Sequence, residues 1–259
     1  MIKAKKSGKK TIVTIEQIKG DLSHDLSVVE QIKENFLIIT AHQLKTPLNI
    51  IKINLQMILR GELGSLNQQV KRTLLDVFHI NHKVIELVSD FLNASEIETG
   101  RIRSHARPVN ISKIFHNVID ELDILAHKKK LKINLHTKPS HLPQVMVNSH
   151  RLREIIYNLI SNAIKYNRAN GRVEVTVKKL KNKIHISVAD TGIGISAKDQ
   201  KRLFSKFFRG QNAIRIETQG SGLGLYIVKS YVESLGGKIW FKSKDNIGST
   251  FYVEIPLVK

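Results

Sequence analysis

"NFLIITAHQLKTPLNIIKINLQMI", residues 35–58, reads as a helix that carries a defect. Leu44, Leu48, Ile51, Leu55 and Ile58 step by four and three, the spacing of one helical stripe. Upstream, Val29, Ile32, Phe36 and Ile39 step by three and four. The two stripes are offset by one residue around His42 to Pro47. Pro47 has no N–H for the Gln43 carbonyl and crowds the preceding turn, a cost of about 3 kcal/mol inside a helix. A helical histidine is ordinarily a tolerated surface or core residue. His42 departs from that reading because it falls where the stripe shifts, so it is not required in the core. The proline also loosens the helix beside its imidazole.

"RGELGSLN", residues 60–67, supplies glycines and a polar turn. Beyond it Val70, Leu74, Val77, Asn81, Val84, Val88 and Phe91 resume the four-three spacing, with one polar residue in the stripe. The pattern predicts two long antiparallel helices, roughly residues 24–60 and 66–99. One hairpin cannot bury both stripes. Two hairpins bury them as a four-helix bundle, so a homodimer is expected.

The 259 residues are 41% hydrophobic and 25% charged, an ordinary globular balance long enough for two domains. There is no cysteine, which excludes disulfides and thiolate metal sites and fits a reducing compartment. No apolar run approaches the roughly 18 residues of a membrane span, and no secretory signal opens the chain. The net charge of +20 reads first as a solvated basic surface. No nucleic-acid motif accompanies it, so no specific nucleic acid is predicted. An anionic membrane surface or an acidic partner stays open.

After residue 104 the periodicity changes. "LKINLH", "RVEVTVKKL", "KIHISVAD", "GKIWFKS" and "STFYVEIP" alternate like half-buried strands. Helices are expected near 112–129, 149–167, 197–204 and 222–235, with Ser196 and Asp199 as a capping box. Helices segregated from a mostly antiparallel sheet make an α/β sandwich. Within it, "YNLISNAIKYN" places Asn158, Asn162 and Lys165 on one helical face. Such asparagines are mostly surface residues, yet their amide oxygens beside a lysine also suit Mg²⁺ balanced by phosphates. "ADTGIGI" follows a strand with a carboxylate, Asp190, that can accept from an amino group such as that of adenine. "QGSGLGLYIVKSYVESLGG" opens an apolar helix with Gly220, Gly222 and Gly224, which let backbone N–H groups approach a phosphate. Each stretch alone is weak.

In this order after "HQLKTP" they resemble the sensor histidine kinases of two-component systems, over about residues 30–259. The H box surrounds His42, the N box spans 158–166 and "DTGIG" matches G1. "LFSKFFRG" matches the F box, "GSGLGL" matches G2, and "GSTF" matches the final glycine box. The resemblance implies a basic tail (1–23), a dimerisation and phosphotransfer hairpin (24–104) and an ATP-binding α/β sandwich domain (105–259) of the gyrase, chaperone and kinase superfamily. It implies His42 as phosphoryl acceptor and Asn158 and Asn162 as Mg²⁺ ligands. Lys165 and Tyr166 would contact phosphates or ribose. Asp190 would read adenine with help from Thr250, in a pocket shaped by Gly192 and Gly194. Residues 205–219 would form a lid with Gly222 and Gly224 at its hinge, Leu223 between them would belong to the nucleotide site, and Arg209 would stabilise charge on the transferring phosphoryl group.

The implied partners are a second copy and the receiver domain of a response regulator. The implied location is the cytoplasm, either as a free kinase or as the cytoplasmic part of a membrane-bound one. Thr46, one turn after His42, matches a position implicated in response-regulator dephosphorylation. One departure is Gln43, where the family usually has an acid that can take the imidazole proton. Two rival readings remain. A hydrolysing ATPase of the superfamily has a glutamate where this chain has Asn158, and the missing carboxylate disfavours hydrolysis. A kinase-like scaffold that does not use ATP is disfavoured by intact nucleotide boxes.

Overall fold

A computed structural model describes residues 39–99, 106–137, 142–218 and 220–257. The expected helix over 24–38, its stripe at Val29, Ile32 and Phe36, and the basic tail lie outside these residues. The chain divides into two compact units between Ser95 and Glu96.

The first unit is a helical hairpin. Helix α1, described over residues 39–59, continues unbroken through Pro47. The surrounding helical bonds therefore offset the loss of one. Helix α2 spans Gln68–Glu98 and is capped by Asn67, whose Oδ1 accepts from the Val70 N–H at 2.8 Å. The apolar stripes split into two series of period seven. Ala41, Leu48 and Leu55 on α1, with Leu74, Asn81 and Val88 on α2, are buried or half-buried. In the other series Leu44, Ile51, Val70, Val77 and Val84 are 37–49% exposed, while its last members Ile58 and Phe91 are half-buried. One hairpin thus covers half of each stripe.

The second unit is the expected α/β sandwich. Its elements are β1 (Arg107–Val109), α3 (Ile111–Lys128), β2 (Lys132–Thr137), β3 (Val145–Val147), α4 (Ser149–Lys165), β4 (Arg172–Leu180) and β5 (Lys183–Asp190). There follow α5 (Ala197–Gln200), α6 (Gln211–Ile216), α7 (Gly224–Ser234), β6 (Lys238–Lys244) and β7 (Gly248–Pro256). The main sheet has the order β2-β4-β5-β7-β6, with β2 and β4 parallel and every other pair antiparallel. Helices α3, α4 and α7 pack together and cover one face. Ile111, Phe115, Val118, Leu122 and Ala126 form the buried stripe of α3. Leu152, Ile155, Ile156, Leu159, Ile160, Ala163 and Ile164 do the same for α4. They meet Val173, Val175, Val177, Ile184, Ile186, Val188, Val253 and Ile255 from the strands. Truncating one such side chain, Phe115 for example, costs about 3–5 kcal/mol. Asn110 and Asn148 cap α3 and α4, accepting from Lys113 and from His150 and Arg151.

Three details differ from the sequence reading. The short antiparallel pair β1–β3 was not expected. Helix α5 ends at Gln200 instead of 204, and the chain turns through residues 201–207. Phe207 there has φ +58, which does not continue a right-handed helix. The segment expected as a lid contains a helix of its own, α6. Of the Ser196 and Asp199 capping box, the bond from the Asp199 N–H to Ser196 Oγ is formed at 3.2 Å.

Candidate functional site

Asn158, Asn162 and Lys165 lie on the half-buried face of α4, four and three residues apart. The Asn158 amide donates from Nδ2 to the Glu154 carbonyl at 3.1 Å, which leaves Oδ1 at the other end of the amide. Oδ1 faces the first residue of α7. A Cβ on Gly224 would stand 2.7 Å from it, so any side chain there would collide with the asparagine. The segment before α7 is drawn in tightly. Leu223 is buried, its N–H donates to Ser221 Oγ at 3.1 Å, and Gly222 abuts the backbone of Phe207.

Asp190 ends β5. Its Oδ1 accepts from the Gly192 N–H at 2.8 Å and from the Ser249 N–H at 3.2 Å. Burial pushes its carboxyl up to about 6, and these two backbone bonds oppose the shift. Gly192 passes so close to α4 that a Cβ would stand 2.3 Å from the Tyr166 carbonyl. The Ile193 N–H donates to the same carbonyl at 3.1 Å. Gly194 abuts the Lys244 carbonyl. A cavity of about 330 Å³ opens beside Asp190, with Lys242, Lys244, Ile247, Ser249 and Thr250 among its walls. It shares Asp190 with the residues above but not the asparagines of α4.

Thr250 is not the strand residue opposite Asp190. Ser249 is its register partner, and Thr250 pairs with Ala189. Alternation gives Thr250 the phase of Tyr252 and Glu254, on the face away from α3, α4 and α7, whereas Ser249 is buried. Ser249 Oγ lies 2.9 Å from Ser243 Oγ. The contact of Ser249 with Asp190 is not visible in the sequence, because two adjacent hydroxyl residues look alike without a register.

At the end of α4, Lys129 Nζ donates to the carbonyls of Ile164 at 3.2 Å and Lys165 at 2.5 Å. Burial holds the Lys129 ammonium below its ordinary value. The Tyr166 hydroxyl is pushed up by burial, while a hydrogen bond to Arg209 opposes this. Arg209 also donates from Nη1 to the Thr218 carbonyl at 3.0 Å and the Gly220 carbonyl at 3.4 Å, and from Nη2 to the Glu217 carbonyl. Its guanidinium therefore ties the two ends of the expected lid together.

In the hairpin unit, His42, Gln43 and Thr46 are all exposed on α1. Thr46 sits one turn beyond His42.

Comparison with known proteins matches residues 32–100 to the His Kinase A (phospho-acceptor) domain. Residues 147–259 match the histidine kinase-, DNA gyrase B-, and HSP90-like ATPase. The circadian input-output histidine kinase CikA of Synechococcus elongatus is 32% identical over 225 residues, covering 86% of this chain and 30% of that protein. The signal transduction histidine-protein kinase BarA of Escherichia coli is 33% identical over 232 residues, covering 88% and 25%. The chain therefore spans between a quarter and a third of these two relatives. Full-length ShkA in complex with AMPPNP superposes with a TM-score of 0.68 at 27% identity, over 86% of this chain and 46% of that one. The Acinetobacter baumannii histidine kinase AdeS shares the fold, with a TM-score of 0.58 at 22% identity over 84% and 98%.

Proposed function

The chain belongs to the sensor histidine kinases of two-component systems, and from that premise we propose that it transfers the γ-phosphoryl group of ATP to His42 and then to an aspartate of a response-regulator receiver domain. The observation that carries this reading is on α4. The helix sets Asn158 Oδ1 against the glycine-rich start of α7, and its end grips the turn that holds Asp190.

The division of labour follows from the chemistry of each group. Asp190 accepts from the adenine amine, with Oδ1 already held by two backbone donors. Lys165 and Tyr166 contact phosphates or ribose. Gly192 and Gly194 shape the pocket, while Gly222, Leu223 and Gly224 let the chain approach the phosphates closely. Asn158 and Asn162 offer neutral oxygen ligands, which fit Mg²⁺ whose charge is balanced by phosphate. When bound, the ion neutralises charge on the phosphates. The arrangement lacks the glutamate at position 158 that a hydrolysing relative would use as base, which favours transfer over hydrolysis.

At His42 an unprotonated ring nitrogen forms the bond to phosphorus as the bond to the ADP oxygen breaks. Exposure of His42 on the helix suits a nucleophile that must meet both ATP and a receiver domain. Gln43 can orient the imidazole by accepting its N–H, but it cannot hold the proton. Thr46, one turn away, orients water for dephosphorylation of the regulator, giving a second, phosphatase activity.

The exposed series Leu44, Ile51, Val70, Val77 and Val84 supports a homodimer in which a second hairpin completes a four-helix bundle. Residues 24–104 act as the phosphotransfer domain and 105–259 as the ATP-binding domain. Among the described residues no helix is long and apolar enough to cross a membrane. Calorimetry with a non-hydrolysable ATP analogue tests the nucleotide site. Binding that strengthens with Mg²⁺, and loses that dependence in Asn162→Ala, is expected. Absence of binding by the wild type overturns the reading.

A further inference from the structure

Asn167 follows the last turn of α4 and is 5% exposed. Both polar ends of its side chain are engaged. Nδ2 donates to the Arg172 carbonyl at 3.0 Å, and Oδ1 accepts from the Arg168 N–H at 3.0 Å. Oδ1 also accepts from the Thr191 hydroxyl at 3.2 Å. That hydroxyl in turn accepts from the Arg172 N–H at 3.0 Å. The pair fills the space that a side chain at Gly171 would need. A Cβ there would stand 2.3 Å from Asn167 Oδ1 and 2.8 Å from Thr191 Oγ1.

Thr191 lies between Asp190 and Gly192, the two residues joined by the shortest bond to the carboxylate. Two consecutive residues at the end of α4 thus hold one turn. Tyr166 holds it through its carbonyl to Ile193, and Asn167 through its side chain to Thr191. The same helix carries Asn158, Asn162 and Lys165 eight or fewer residues upstream of Tyr166. The offset between the phosphate end and the adenine end of the site is therefore set by the α4 backbone and these two bonds. The backbone bond is available to any residue at 166. The side-chain bond requires an acceptor at 167 and a hydroxyl at 191.

Resting on the nucleotide reading given above, we infer that Asn167 and Thr191 form a buried strut that positions Asp190 for adenine, and so determine purine selectivity without touching the nucleotide. The physical reason is that a carboxylate reads an amine by direct aim. Adenine offers an amine where guanine offers a carbonyl, so a carboxylate that drifts loses its preference along with its affinity. Chemistry at the other end of the site does not depend on that aim once nucleotide is bound. These are positioning residues, and their loss weakens binding while leaving the saturated rate largely intact.

Three single variants of the full chain and one double variant test this. Thr191→Val keeps the shape and removes the hydroxyl, Thr191→Ser keeps the hydroxyl, and Asn167→Ala removes its acceptor. Calorimetry measures ADP and GDP affinity, and single-turnover labelling at saturating ATP measures the rate. Thr191→Val is expected to weaken ADP binding by about tenfold, the scale of one lost buried hydrogen bond, and to narrow the ADP preference over GDP. Its saturated rate stays within about threefold of wild type, and Thr191→Ser restores the affinity. The Asn167→Ala and Thr191→Val double variant loses less affinity than the sum of the two single losses, because both changes break the Thr191–Asn167 bond. If Asn167→Ala does not fold, the two Thr191 variants decide the matter. A folded Thr191→Val that binds ADP like wild type, or that loses rate with affinity unchanged, overturns the strut. A wild-type chain that binds no adenine nucleotide overturns the site reading itself, and the strut with it.

Discussion

The Asn81 side-chain amide donates to the Leu48 carbonyl at 2.9 Å, joining the two hairpin helices one residue past Pro47. Both residues belong to the covered half of the apolar stripes. A buried amide in such a stripe gives up stability relative to an apolar residue but fixes register and partner number. The bond also places the junction next to the one helical turn that lacks an N–H, so α1 is held directly beside its weak point.

Replacing Asn81 with Leu should therefore raise the unfolding temperature by a few degrees, the equivalent of about 1 kcal/mol. It should also broaden the distribution of oligomers seen by light scattering. A variant that remains a single discrete species with an unchanged melting point would show that the amide does not specify the hairpin.

Asp190 predicts a pH profile. Its carboxyl is raised from 3.8 to about 6, so folding takes up a proton between those values. Its contribution to folding stability is fully present below the unfolded value and is lost as pH rises through about 6. Nucleotide binding has the opposite sign, because the adenine amine needs the ionised acceptor. Affinity for ADP should be flat above pH 7 and about tenfold weaker at pH 5, beyond any change shared by Asp190→Asn. Identical profiles for the two proteins would contradict the role of this carboxylate.

Arg209 links the carbonyls of Glu217, Thr218 and Gly220 to the Tyr166 hydroxyl. On the reading that Arg209 stabilises charge on the transferring phosphoryl group, Arg209→Ala should lower autophosphorylation by about 10²-fold. It should also speed amide exchange between residues 210 and 218, which a purely electrostatic role at the phosphoryl group would leave unchanged. Nucleotide affinity should move by much less than the rate.

Thr46 predicts a separation of activities. Thr46→Ala should keep autophosphorylation and lose the ability to shorten the lifetime of the phosphorylated regulator. The measurement is decay of labelled receiver domain with each protein added. Equal decay with and without the wild-type chain would remove the phosphatase from the account.

Much of this was legible in the sequence. Strands β4 and β5 were read at their observed limits because eight or nine alternating residues show a period of two clearly. The three-residue strands β1 and β3 are too short to show any period, and α6 has six residues and no buried face. The glycine boxes and the asparagine face of α4 were visible as spacing. The contact between Ser249 and Asp190 was not, since it needs the β5–β7 register. Asn167 was missed for a similar reason. An asparagine ending a helix looks like an ordinary cap until its side chain is seen to reach a residue 24 positions away.

The central claim is that ATP phosphorylates His42. Incubation of the purified chain with γ-labelled ATP and Mg²⁺ tests it most directly, followed by exposure of the labelled protein to acid and to alkali. A phosphoramidate is labile in acid and survives base, the reverse of a phosphoserine or phosphothreonine. The account predicts a base-stable, acid-labile label in the wild type and none in His42→Ala, whose nucleotide binding stays intact. A label that persists in His42→Ala, or that survives acid, would contradict it.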